Sequence, residues 1–202
     1  MRMGTSNRCN VTDSQGFALL ITLIVVGVVL SIGLSVLNLS ISQVRLSADA
    51  KESEAAFHAT NAGMECARYW RRVENTAMEQ GNTFAPTCFG VAPVLPVAIN
   101  SPTAPTLDDA SDGAANVYNY EFSWSTGDRC TRIQTLVASS TISGDGATTT
   151  NMFALMPSYP EGDDFYCGAG SICTVIAVQG YNQPCARVNA YGTIQREVLL
   201  QF

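Results

Sequence analysis

The chain opens into an almost wholly apolar run that starts at Phe17, directly after Gly16, and meets no charge until Arg45. Phe17 to Leu37 alone spans the length of about 20 residues that a helix needs to cross a hydrocarbon layer. A secretion signal is shorter, with an apolar stretch of roughly 7–15 residues closed by a small-residue cleavage site; no such site follows here. Gly27, Ser31, Ser35, Asn38 and Ser42 recur within the run at helical spacing. That puts a stripe of small, weakly polar side chains on one face, where a second helix can approach closely. The helical pattern then continues through "SQVRLSADAKESEAAFHATNAGMECARYWRRVEN", which has no proline and one glycine, Gly63. Leu46, Ala50, Ser53, Phe57, Thr60, Met64 and Ala67 form a narrow apolar seam, with Asp49, Lys51, Glu52 and Glu54 off it. One helix from Phe17 to about Val73 is expected, roughly 85 Å long at the standard rise per residue.

After about Asn75 the periodicity changes. Pro86, Pro93, Pro96, Pro102 and Pro105 exclude regular helix from the next segment. We read it as irregular, with one short edge strand around Val91–Ile99. "VYNYEFSW" alternates strictly from Val117 to Trp124: Tyr118, Tyr120, Phe122 and Trp124 share one face, Asn119, Glu121 and Ser123 the other. The aromatic face is expected to pack on the helix. After the turn "STGDRC", residues 131–143 read as its antiparallel partner, "GDGATTTN" as turn or loop, and 172–180 and 191–202 as two further strands. The fold class is α+β: a long N-terminal helix on an antiparallel sheet of about four strands. The organisation is 1–16 leader, 17–43 apolar helix, 44–75 amphipathic continuation and 76–202 β-rich head.

Charge and cysteine content refine this picture. The formal net charge of −6 leaves no broad cationic surface for nucleic acid. Arg2 and Arg8 precede the run and acidic residues predominate after it, which puts the N-terminus in the cytoplasm and the head outside. Cys9 lies before the run; Cys66, Cys88, Cys130, Cys167, Cys173 and Cys185 follow it. An even set of six outside the membrane is what a disulfide-bonded exported domain requires, and fifteen pairings are open to it. Candidates are Cys66 with Cys88, and Cys173 with either Cys167 or Cys185. Paired C-x2-C knuckles are lacking, which argues against zinc. Asp108, Asp109 and Asp112 read as solvated loop acids and match no calcium loop.

A short basic polar leader, then Gly16, then Phe17, then an apolar helix that becomes amphipathic resembles the type IV prepilin family. The run "GFALLITLIVVGVVLSIGLSVLNLS" and the stretch "SEAAFHATNAGMECARYW" are similar to its minor pilins of the PilX-like and GspK-like kind. The resemblance covers about residues 14–72. It implies a pilin-like fold and cleavage after Gly16 by a prepilin peptidase on the cytoplasmic side. It also implies N-methylation of Phe17, residence in the inner or cytoplasmic membrane, and transfer through an assembly platform to the helical core of a surface filament. Its partners would be other pilin subunits. The family often closes its C-terminal region with a disulfide. Its major subunits carry glutamate at the fifth mature position, where it pairs with a neighbour's terminal ammonium. This chain has Ile21 there and no acid between Phe17 and Leu37. An unpaired buried ammonium is costly, so the reading is a priming or tip subunit rather than the bulk one.

No catalytic constellation emerges. The one histidine, His58, lies on the helix without a motif partner, and "GAGS" lacks the ending of a phosphate loop. No enzyme activity, cofactor or metal is expected. The competing reading is a single-span surface adhesin or receptor that is never assembled into a filament.

Overall fold

The computed structural model describes residues 13–124, 128–142 and 144–202. Most of the leader, with Arg2, Arg8 and Cys9, lies outside the described residues; so do the first three residues of the "STGDRC" turn and Ser143. The chain divides into two compact units, Met1–Asp49 and Ala50–Phe202. Helix α1 runs Asp13–Val73. Its sequence lacks proline, and Arg71 and Arg72 in its last turn face the negative end of the helix dipole. In the first unit every residue from 16 to 49 is exposed. This helix is long and apolar enough to cross a membrane.

The second unit is built on sheet. A short helix, α2 (Asn75–Glu79), follows α1. The main sheet has five antiparallel strands in the order β1-β3-β4-β7-β8: β1 (Ala98–Ile99), β3 (Gly113–Trp124), β4 (Arg129–Ser140), β7 (Ile172–Tyr181) and β8 (Gln195–Gln201). A second sheet of three short strands has the order β2-β5-β6: β2 (Thr106–Leu107), β5 (Ala147–Thr150) and β6 (Phe165–Cys167). A single helical turn, α3 (Met152–Leu155), sits between β5 and β6 in the chain.

Both faces of the main sheet carry a core. On the helix side, Tyr118, Tyr120 and Phe122 of β3 pack with Ile133, Val137, Ile176 and Val178, under Met64, Ala67 and Met78. Phe84 adds edge-on contacts to Tyr118 and Tyr120. On the opposite side Val117, Leu136, Val175 and Ala177 are covered by Met152, Leu155, Met156, Tyr159 and Phe165. The period-2 alternation of β3 therefore serves two cores, which is why Val117 is as fully buried as its neighbour Tyr118.

The helix meets the sheet through small residues. Ala55, Ala56, Ala59, Thr60, Met64 and Ala67 are buried, while Leu46 (71% exposed), Ala50 and Phe57 (49%) are not, and Ser53 is half-buried. The expected seam is thus rotated towards the alanines, because the backbones approach too closely for bulk. A Cβ added to Gly63 would collide with the Thr131 methyl and Val178, and one added to Gly180 with Thr60 and the Ala56 carbonyl. Hydrogen bonds reinforce the approach: Trp124 Nε1 donates to Thr131 Oγ1 (2.6 Å), which donates to the Ala59 carbonyl (2.8 Å). Arg71, buried at the helix end, donates to Thr174 Oγ1 (2.9 Å) and to Glu79 (3.2 Å).

Other expectations are corrected in detail. The main sheet holds the four expected strands and, at its edge, the short β1, while the second sheet was not expected. "GDGATTTN" contains β5, whose outward threonines lack the bulky alternation that marks a strand. The Val91–Ile99 strand shrinks to Ala98–Ile99, and the last strand starts at Gln195 rather than 191.

Candidate functional site

In the first unit the site is an uncovered surface. Gly16 and Phe17 lie within α1; nothing stands within 4 Å of a Cβ added at Gly16, and Phe17 is 68% exposed. Gly27, Ser31, Ser35, Asn38 and Ser42 are all exposed. The stripe's hydroxyls turn back onto their own helix: Ser31 Oγ donates to the Val28 carbonyl, Ser35 to Ser31 and Ser42 to Asn38, at 2.8, 2.8 and 3.0 Å. Thr22 and Ser40 do the same to Leu19 and Val36. Their polarity is therefore satisfied internally, as an apolar surrounding demands. Such a stripe offers a second helix a shallow surface whose serine hydroxyls already have partners.

In the second unit the structure draws three disulfides. Cys66 of α1 joins Cys88 in the proline-rich loop, Cα atoms 5.7 Å apart. Cys130, at the start of β4, joins Cys185 in a 3-10 turn (4.7 Å), a pairing that sequence reasoning did not single out. Cys167 joins Cys173 across the turn between β6 and β7 (5.7 Å), so the Cys173–Cys185 alternative is not formed. The grouping of Glu121 with Cys130 and Cys185 offers no thiolate, because the two sulfurs are bonded to each other. His58 faces Glu54 at 3.5 Å in an exposed pair. Asp108, Asp109 and Asp112 are exposed and form no metal-holding group among the described residues.

The second unit also carries a groove of about 530 Å3 that the sequence did not reveal. It lies on the face of the main sheet away from α1, beyond the edge of the second core. Its floor is polar: Asn119 and Glu121 of β3, Arg132 and Gln134 of β4, Gln179 of β7. Leu95, Pro96, Pro102 and Pro157 supply its apolar walls. Glu121, Arg132, Gln179 and Glu197 stand in one cross-strand row over four strands, each paired in register with the next. Arg132 Nε donates to Glu121 Oε2 (3.1 Å), and its guanidinium lies 5.7 Å from the Tyr181 ring centre. Tyr181 donates to Gln179 Oε1 (2.8 Å). Burial pushes the Tyr181 phenol up, with Arg132 opposing, and burial also raises Glu197, opposed by hydrogen bonds from Gln179 and Gln195. The available signal was the polar half of two alternations, Asn119 and Glu121 in "YNYEF" and Arg132 and Gln134 in "TRIQT", which only strand pairing brings together.

A second cavity, about 460 Å3, is bordered by Arg68, Arg71 and Arg72 at the end of α1 with Leu200 and Phe202. Glu65 and Glu79 already engage two of those arginines.

Comparison of the chain with protein-family models, with curated proteins and with solved structures finds no match. What is established is an α+β protein with a long apolar N-terminal helix able to span a membrane, followed by a disulfide-linked antiparallel head.

Proposed function

We propose that this chain is a minor pilin or pseudopilin: a structural subunit, processed between Gly16 and Phe17, that starts or tips a type IV pilus-like filament or a related secretion or DNA-uptake machine. The observation that carries the reading is α1 itself. Its first part is apolar, wholly exposed and striped with self-satisfied hydroxyls. Such a surface needs lipid before assembly and other helices after it. Phe57, left open at 49% exposure on the side away from the sheet, adds a contact for a neighbouring subunit. The head lies outside the cytoplasm in this reading, where its three disulfides persist. Ile21 accounts for the position in the filament, since a subunit with no neighbour ahead of it needs no acid to neutralise that neighbour's ammonium.

The test is immunogold labelling of filaments from the producing cells, with the chain deleted in parallel. Label at filament ends, and fewer filaments on deletion, support the reading. Label confined to the cell membrane, or long filaments grown from this chain alone, contradict it.

A further inference from the structure

We propose that the groove over β3, β4 and β7 binds a neutral oligosaccharide, so that the head is a carbohydrate-recognition module as well as an assembly unit. The proposal holds equally for a filament tip and for a membrane-anchored head.

The groove is held open by its own floor. Asn119 Nδ2 donates to the Ser101 carbonyl beside Pro102 (2.6 Å), and Val94 N–H donates to the Glu121 carbonyl (2.8 Å), which fixes the proline-rich wall. Gln134 Nε2 donates to Asn119 Oδ1 (2.9 Å) and to the Leu155 carbonyl (3.3 Å), which fixes the wall ending in Pro157. A site whose walls are tethered to its floor spends little ordering entropy on binding.

The chemistry left open selects the ligand. Gln134 Oε1 and the second Glu121 oxygen have no protein donor among the described residues. On the same face Arg132, in register with Glu121 and two residues from Gln134, keeps its side chain 40% exposed. Acceptors beside a donor match vicinal hydroxyls, each of which donates to one group and accepts from the next. Pro96, Pro102 and Pro157 give flat, non-aromatic surfaces for the C–H face of a sugar ring. The volume lies within the range of about 300–1,000 Å3 typical of small-ligand sites. Arg132 is already paired with Glu121, and Glu197 stands further along the row, so a further negative charge gains nothing here. A peptide is disfavoured because the floor of the groove is a sheet face of side chains rather than the open strand edge that strand addition uses.

The test uses the full chain in a sugar-free detergent, labelled with 15N and titrated with lactose, maltose and cellobiose. Acidic oligosaccharides and a proline-rich peptide form parallel arms. Shifts of the Gln134 and Gln179 side-chain amides with at least one neutral sugar are expected, with binding weakened at least tenfold in Glu121→Gln and in Arg132→Lys and unchanged in Arg72→Gln. The amide shifts are read on the unaltered protein, so they stand even where a variant misfolds. Binding only of acidic sugars or peptide, neutral-sugar binding that leaves these amides unmoved, or no binding at all overturns the proposal.

Discussion

Gly63 of α1 lies so close to Thr131 of β4 that a methyl group on the glycine has no room beside the Thr131 methyl. Thr131 cannot rotate away, because its hydroxyl is held between Trp124 Nε1 and the Ala59 carbonyl. Gly63→Ala is therefore expected to destabilise the second unit by about 1–3 kcal/mol through overpacking, despite alanine's better helix propensity. Adding Thr131→Ser, which deletes the methyl and keeps the hydroxyl, should restore part of the loss in denaturant titrations of the full chain. No recovery in the double variant would place the clash elsewhere.

Buried tyrosines set an alkaline limit on stability. Burial pushes Tyr118 from 10.0 to about 12, partly opposed by Arg71, and its hydroxyl donates to the Met78 carbonyl (2.9 Å). Tyr120 is pushed up further by burial. A folded-state value above the unfolded one means that stability is fully present below the unfolded value. Above it the unfolded chain releases its proton first, so stability falls through the window from 10.0 to about 12. Denaturation midpoints measured across this range should decline with rising pH. Tyr118→Phe should flatten part of the decline, and Tyr120 and Tyr181, both also raised by burial, should account for what remains.

Among the described residues, neither the Tyr120 nor the Thr135 hydroxyl, both buried, has a partner that completes a hydrogen bond. Removing a polar atom that is already unsatisfied costs little. Tyr120→Phe is expected to be neutral or stabilising by up to about 1 kcal/mol, read from the thermal midpoint. A loss of several kcal/mol would mean that the hydroxyl has a partner in solution.

Sequence reading reached the frame of this protein and missed its contacts. The helix and β3 were legible because each repeats one period over many residues. The phase of the helix was not. Bulk pointed to Phe57, whereas the buried face is the alanine side, and only the closeness of Gly180 and Thr131 explains that choice. β5 was hidden because three threonines carry no face preference. The groove was hidden because Glu121, Arg132, Gln179 and Glu197 come from four strands that pairing alone aligns.

The three disulfides should differ in worth by the loops they close. Cys130–Cys185 spans 55 residues, Cys66–Cys88 spans 22 and Cys167–Cys173 spans 6. Chain-entropy arguments give about 4, about 3 and about 2 kcal/mol. Replacing each pair with alanine in turn and measuring denaturation should reproduce that order. The reverse order would show that packing around Cys167 outweighs loop closure.

In the proposed function the chain is cut at Gly16 and assembled through the helix that then begins at Phe17. Intact mass and N-terminal fragment spectra of the protein recovered from its own cells test this most directly. A mature chain that begins with methylated Phe17 is expected, and the full-length precursor in a Gly16→Arg variant. A wild-type chain recovered with its leader intact would contradict it and leave a permanently anchored surface protein.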